Sequence, residues 1–122
     1  MLRALQQSGR VRDPESALAD VMERERDMAT GIENGLAIPH ARTRTVDNLV
    51  CAIGIKSEGI DFGAKEGPSR IIILTLSPEN RPGPHIQFMA VMSRIFTQTF
   101  CEKAMAATSG EALYELIIRE NK

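Results

Sequence analysis

The sequence predicts an α/β protein in which helices flank a small mixed β-sheet. Three observations carry that expectation. Residues 49–55 (LVCAIGI) and 70–76 (RIIILTL) are apolar, β-branched runs with the composition of central strands covered on both faces. Apolar residues recur at helical spacing before and after them. The resulting order (helix, three strands, two helices) packs as helices layered on a sheet.

Taken in order, residues 1–7 place apolar side chains at Met1, Leu2 and Leu5, which suits the end of a helix stopped by Ser8-Gly9. The chain is thus expected to open inside an element. Asp13-Pro14-Glu15 is a helix start: a capping aspartate, a proline in the first turn and an acid facing the positive end. Ala17, Leu18, Val21 and Met22 form the apolar stripe of that helix. Its charged continuation, residues 23–27, reads by itself as a solvated face.

Residues 30–44 (TGIENGLAIPHARTR) are the focal stretch. Gly31 and Gly35 allow tight turns with positive φ. Leu36-Ala37-Ile38 reads as a short buried strand. Pro39 lacks a backbone donor and biases Ile38 towards extended geometry, so it belongs at a strand end or edge. His40 is therefore expected where the strand stops, with Arg42 and Arg44 just beyond.

Residues 57–69, with three glycines and Pro68, read as a loop anchored by Ile60 and Phe62. Residues 77–84, with Pro78, Pro82, Gly83 and Pro84, read as a loop that delivers His85 to a helix over 86–96. That helix is expected to bury Ile86, Met89, Met92, Ile95 and Phe96. Residues 97–108 are helical by propensity. Thr108 and Glu111 have capping-box spacing, ahead of a last helix with Leu113, Leu116 and Ile117 inside.

At 122 residues the chain is expected to form one domain. A net charge of −1, no tryptophan and a single tyrosine, Tyr114, give no footprint for nucleic acid. No apolar run approaches a membrane span, and the polar N-terminus is no secretion signal. Cys51 and Cys101 fit no metal-ligand spacing and read as free thiols in a reducing compartment, the cytoplasm. Two histidines without a third ligand make a poor zinc site. Neither phosphate-cradling glycine motif, GxxxxGK or GxGxxG, occurs. Cys51, inside an apolar run, reads as core.

His40 and His85 are the only histidines, and each follows a proline. Either they are loop residues with a satisfied hydrogen bond, or they meet. In the second case the chemistry is phosphoryl transfer. A mostly neutral imidazole keeps one lone pair that can attack phosphorus. A second imidazole can donate to a phosphoryl oxygen, and an arginine can neutralise its charge. Spacing alone leaves both readings open.

The run T-G-I-E-N-G-L-A-I-P-H-A-R at residues 30–42 resembles the active-site segment of the fructose/mannitol-type enzyme IIA domains of the bacterial phosphotransferase system (PTS). The resemblance covers nearly the whole chain. Arg24-Glu25 ahead of Thr30 is similar to the family's RE…T element, E-G-I-D-F-G-A at 58–64 to its loop, and His85 to its second histidine. The resemblance implies that His40 takes a phosphoryl group from the phosphocarrier HPr and passes it to a cysteine on a IIB domain. It implies that His85 supports the phosphorylated state and that Arg24 binds the phosphoryl group, with Arg42 secondary. It implies no metal and no organic cofactor. Three departures stand out. The family's N-terminal strand and most of its first helix have no counterpart, so residues 1–122 are expected to be an excised domain or one completed by another chain. Glu33 stands where glycine is common, adding a negative charge near the site. Residues 77–85 (SPENRPGPH) resemble IIA-like domains attached to transporters such as cation/proton antiporters, where the role is regulatory. The alternative function is therefore a regulatory binding module that controls a transporter or another partner, without sugar transport.

Overall fold

The computed structural model describes residues 7–27, 30–31 and 33–120, so the helix end expected over residues 1–7 falls almost entirely outside it. The first complete helix, α1 (Pro14–Asp27), starts as its sequence dictates: the Asp13 carboxylate accepts the Ser16 backbone N–H at 3.2 Å. A single 3-10 turn (Glu33–Gly35) leads into β1 (Leu36–Ala37) and β2 (His40–Thr43). β3 (Val50–Ile60) and β4 (Ser69–Pro78) follow, then α2 (Pro82–Ile95), α3 (Gln98–Met105) and α4 (Gly110–Glu120).

The sheet is mixed, with β4 at its centre. β1 and β2 run parallel to β4 on one edge, and β3 pairs antiparallel on the other. Leu36 pairs with Ile71 and His40 with Thr75, a constant register. β1 and β2 are therefore one strand, interrupted where Pro39 has no N–H to give the ladder; the Pro39 carbonyl still accepts from Thr75 at 3.0 Å. The expectation that the strand stops before His40 is corrected accordingly. His40 lies within the edge strand, opening its second half.

Alternation along β4 separates two cores. Leu74 and Leu76 pack with Val11, Ala17, Val21 and Ala41 on the α1 side. Ile71 and Ile73 pack with Met92, Ile95, Phe96, Phe100 and Leu113 on the side of α2, α3 and α4. Each such aliphatic side chain contributes roughly 1.5–3 kcal/mol when fully buried. Helices on both faces of a mixed sheet agree with the fold class read from the sequence.

Several local expectations are corrected. β3 is an edge strand among the described residues, half-buried over 51–55 and exposed from Lys56, because only β4 pairs with it. It runs on to Ile60 and takes the first part of the expected 57–69 loop. β4 reaches Pro78 and α2 begins at Pro82, so the proline-rich loop shrinks to a short turn. Prolines in a first helical turn forfeit no intrahelical bond, which is why they start the helix rather than prevent it. Ile86 is 65% exposed, and Leu18 and Met22 are about half exposed; α1 buries only Ala17 and Val21 of its stripe. The cap of α4 is Ser109, whose hydroxyl accepts from Ala112 at 3.1 Å, rather than Thr108. Gly35 has the expected positive φ, 71°. Gly31 serves differently: a β-carbon there would lie 2.8 Å from backbone atoms of Ala64 and Phe62.

Candidate functional site

At the carboxyl end of the parallel strands, the α2 face of the sheet turns from apolar to polar. On β4, Ile71 and Ile73 give way to Thr75 and Ser77, and on the neighbouring strand Leu36 and Ile38 give way to His40 and Arg42. Crevices at such strand ends are where α/β sheets bind ligands. His40 Nδ1 lies 2.6 Å from the Ile38 carbonyl, which can only accept. Nδ1 must therefore carry a proton, and in the neutral ring the lone pair falls to Nε2.

His85 reaches the same place from the first turn of α2, its Nδ1 2.9 Å from the Ser77 hydroxyl. The two imidazole centroids are 5.1 Å apart, with planes inclined at 48°. Both rings, Arg24 from the last turns of α1, and Arg42 line one open cleft of about 770 Å³. Asp20, Glu23, Ala41, Glu79 and the exposed Ile86 complete its wall. The helix end that carries Arg24 is anchored by its neighbour. The Glu25 carboxylate accepts the Thr30 backbone N–H at 3.2 Å and the Thr30 hydroxyl at 2.5 Å, tying the end of α1 to the segment that enters the sheet.

The sequence reading thus finds His40, His85 and Arg24 brought together, with Arg42 beside them. It missed Ser77, placed in a loop; the signal was the alternation Ile71, Ile73, Thr75, Ser77, which continues past residue 76. It also missed Thr75, whose fully buried hydroxyl has no hydrogen-bond partner among the described residues. The side chain of Glu33 lies outside the described part of the structure. Burial pushes the Cys51 and Cys101 thiols up, and neither lines the cleft. Among the described residues, no three histidine, cysteine or acidic side chains are placed to hold a metal.

Burial holds the His85 pKa below its ordinary 6.5, and the positive charge of His40, Arg42 and Arg24 lowers it further. Its NMR titration midpoint is expected below 6.5, and Arg42→Gln should move it upwards; a wild-type midpoint above 6.5 would contradict the geometry. Because the unfolded chain binds this proton more readily, the group costs stability as pH falls from 6.5 through the folded midpoint and costs none above 6.5.

Comparison with known proteins decides the family. The family model described as "Phosphoenolpyruvate-dependent sugar phosphotransferase system, EIIA 2" matches residues 1–120. The chain belongs to this family. It is 32% identical over 112 residues to a PTS system fructose-specific EIIA component of Haloferax volcanii, covering 90% of this chain and 73% of that protein. It is 27% identical to a fructose-specific EIIABC component of Bacillus subtilis, spanning all of this chain but only 20% of that protein's length. A nitrogen regulatory protein of Pseudomonas aeruginosa is 25% identical, over 87% of this chain and 70% of that protein. The fold matches the crystal structure of mannitol IIA from Escherichia coli with a TM-score of 0.79 and 23% identity, covering 95% of this chain and 82% of that one. The same fold occurs in a complex of the mannitol IIA with phosphorylated IIB from Escherichia coli, TM-score 0.79 at 22% identity, covering 97% and 82% of the respective chains. Among the described residues, no helix is long and apolar enough to cross a membrane.

Proposed function

We propose that this chain is one IIA domain acting in the cytoplasm as a phosphohistidine carrier, taking a phosphoryl group from HPr on His40 and passing it to a cysteine of a IIB domain. The observation that carries this reading is the His40 ring, its Nδ1 on the Ile38 carbonyl and its centroid 5.1 Å from that of a second imidazole in an arginine-lined cleft. The Nε2 lone pair attacks the phosphorus of the donor phosphohistidine, and the donor's P–N bond breaks as the new one forms. The Ile38 carbonyl stabilises the positive charge that the ring acquires. His85 donates a hydrogen bond to a phosphoryl oxygen, and the Arg24 and Arg42 guanidiniums offset its charge. Attack by the IIB thiolate then returns the electron pair to Nε2. Such transfer needs positioning and charge stabilisation above all, and the cleft supplies both.

Incubation with phosphoenolpyruvate, enzyme I and HPr should attach one acid-labile, base-stable phosphate per chain. No uptake from a competent cognate HPr would overturn the reading. Similarity to nitrogen regulatory proteins, including a solved IIA-Ntr of Neisseria meningitidis (28% identity, TM-score 0.71, covering 80% of this chain and 68% of that one), favours one second reading. In it the same cleft serves a regulatory module whose partner is a transporter or another controlled protein. Partner capture indifferent to His40 and to its phosphorylation would favour that module.

A further inference from the structure

We propose that Ser77 is a positioning residue of the phosphoryl site: its hydroxyl donates to His85 Nδ1 and so fixes the ring proton on Nε2. This deepens the carrier reading and rests on it for its purpose, though not for its geometry. Ser77 is fully buried, lies on the α2 face of β4 and pairs in register with Arg42. Among the described residues its hydroxyl has one partner, His85 Nδ1, at 2.9 Å.

Two arrangements fit that distance. If Nδ1 carried the proton, the serine oxygen would accept it and the buried serine proton would be left without an acceptor. If Nδ1 carries the lone pair, the serine donates and both groups are satisfied. Leaving a buried donor unmade costs more than a made bond returns, so the second arrangement prevails. The Nε2 proton is then free for the cleft, where phosphoryl oxygens only accept.

The two rings are thereby held as opposite tautomers by two kinds of partner. A carbonyl forces the proton of His40 onto Nδ1 and leaves Nε2 nucleophilic. A hydroxyl takes the Nδ1 lone pair of His85 and leaves Nε2 a donor. Exchange of either partner for the other kind would give a cleft with two lone pairs or two protons.

Long-range ¹H–¹⁵N correlation on the uniformly labelled protein at pH 8 reads the tautomers directly. His85 should show a protonated Nε2 and an unprotonated, hydrogen-bonded Nδ1, and His40 the reverse pattern. Ser77→Ala should turn His85 into a mixture and slow phosphoryl acceptance from HPr by about fivefold, the loss expected of one hydrogen bond. Ser77→Thr, which keeps the hydroxyl, should restore both. A wild-type His85 protonated on Nδ1, or a nitrogen pattern unchanged in Ser77→Ala, overturns the proposal. The wild-type spectrum alone decides the first point, whatever Ser77→Ala does to folding. Failure of the carrier reading shows separately, as wild-type protein that takes up no phosphate.

Discussion

His40→Ala is expected to abolish phosphoryl uptake from HPr, down to background labelling. The reason is specific to the nitrogen. Only His40 Nε2 combines an enforced lone pair with a place in the arginine-lined cleft. His85 cannot substitute while its Nδ1 is engaged by Ser77. The fold should survive, because His40 is half-buried and its side chain makes one hydrogen bond among the described residues, worth about 1 kcal/mol. Far-UV circular dichroism of the variant should match the wild type. His85→Ala is a graded contrast: acceptance should persist but slow by about 10²–10³-fold, the usual cost of losing one donor aimed at developing charge. Labelling that survives His40→Ala, or that His85→Ala abolishes as completely, would reassign the nucleophile.

Phe100→Ala should lower stability by about 3–5 kcal/mol, the largest effect expected from any single core truncation here. Phe100 is 2% exposed, and its ring meets Phe96 edge-to-face at 5.0 Å. The surroundings cannot easily collapse into the void. Phe96 is held at the end of α2 by its own N–H to the Met92 carbonyl at 2.9 Å, and the Phe100 N–H is held by the Thr97 hydroxyl at 3.3 Å. Against a typical net stability of about 5–15 kcal/mol, such a loss removes a third or more of the total. The readout is the urea midpoint followed by circular dichroism, with an unchanged slope. Since α2 also carries His85, the variant links core packing to the site. A loss below about 1 kcal/mol would mean that the α2–α3 corner is not the rigid platform described.

Chemical identity was easier to read from the sequence than placement. The cap at Asp13-Pro14 and the strand around Ile71 to Leu76 were legible because each is decided within a few residues. Arg24 was not. In a charged run it looks solvated, and only the family resemblance singled it out. Its place in the cleft depends on Ala17 and Val21 docking α1 onto Leu74 and Leu76, a contact across some fifty residues. Leu18, Met22 and Ile86 err in the other direction. Their spacing is helical, but the sheet beneath is too narrow to cover every apolar position of the helices above it. Pro39 looked like a terminus because the register that continues through it is set by β4, not by its neighbours. Ser77 was hidden by the prolines after it.

The shared dependence on β4 has a consequence for biogenesis. The segment bearing His40 and the segment of β3 each pair with residues 69–78 and never with one another. Neither has a ladder partner until that stretch has left the ribosome, and the nucleophilic ring waits a few residues longer for His85. The docking that makes the chemistry possible therefore waits on residues 69–85, deferred by topology until well after the nucleophile itself has been made.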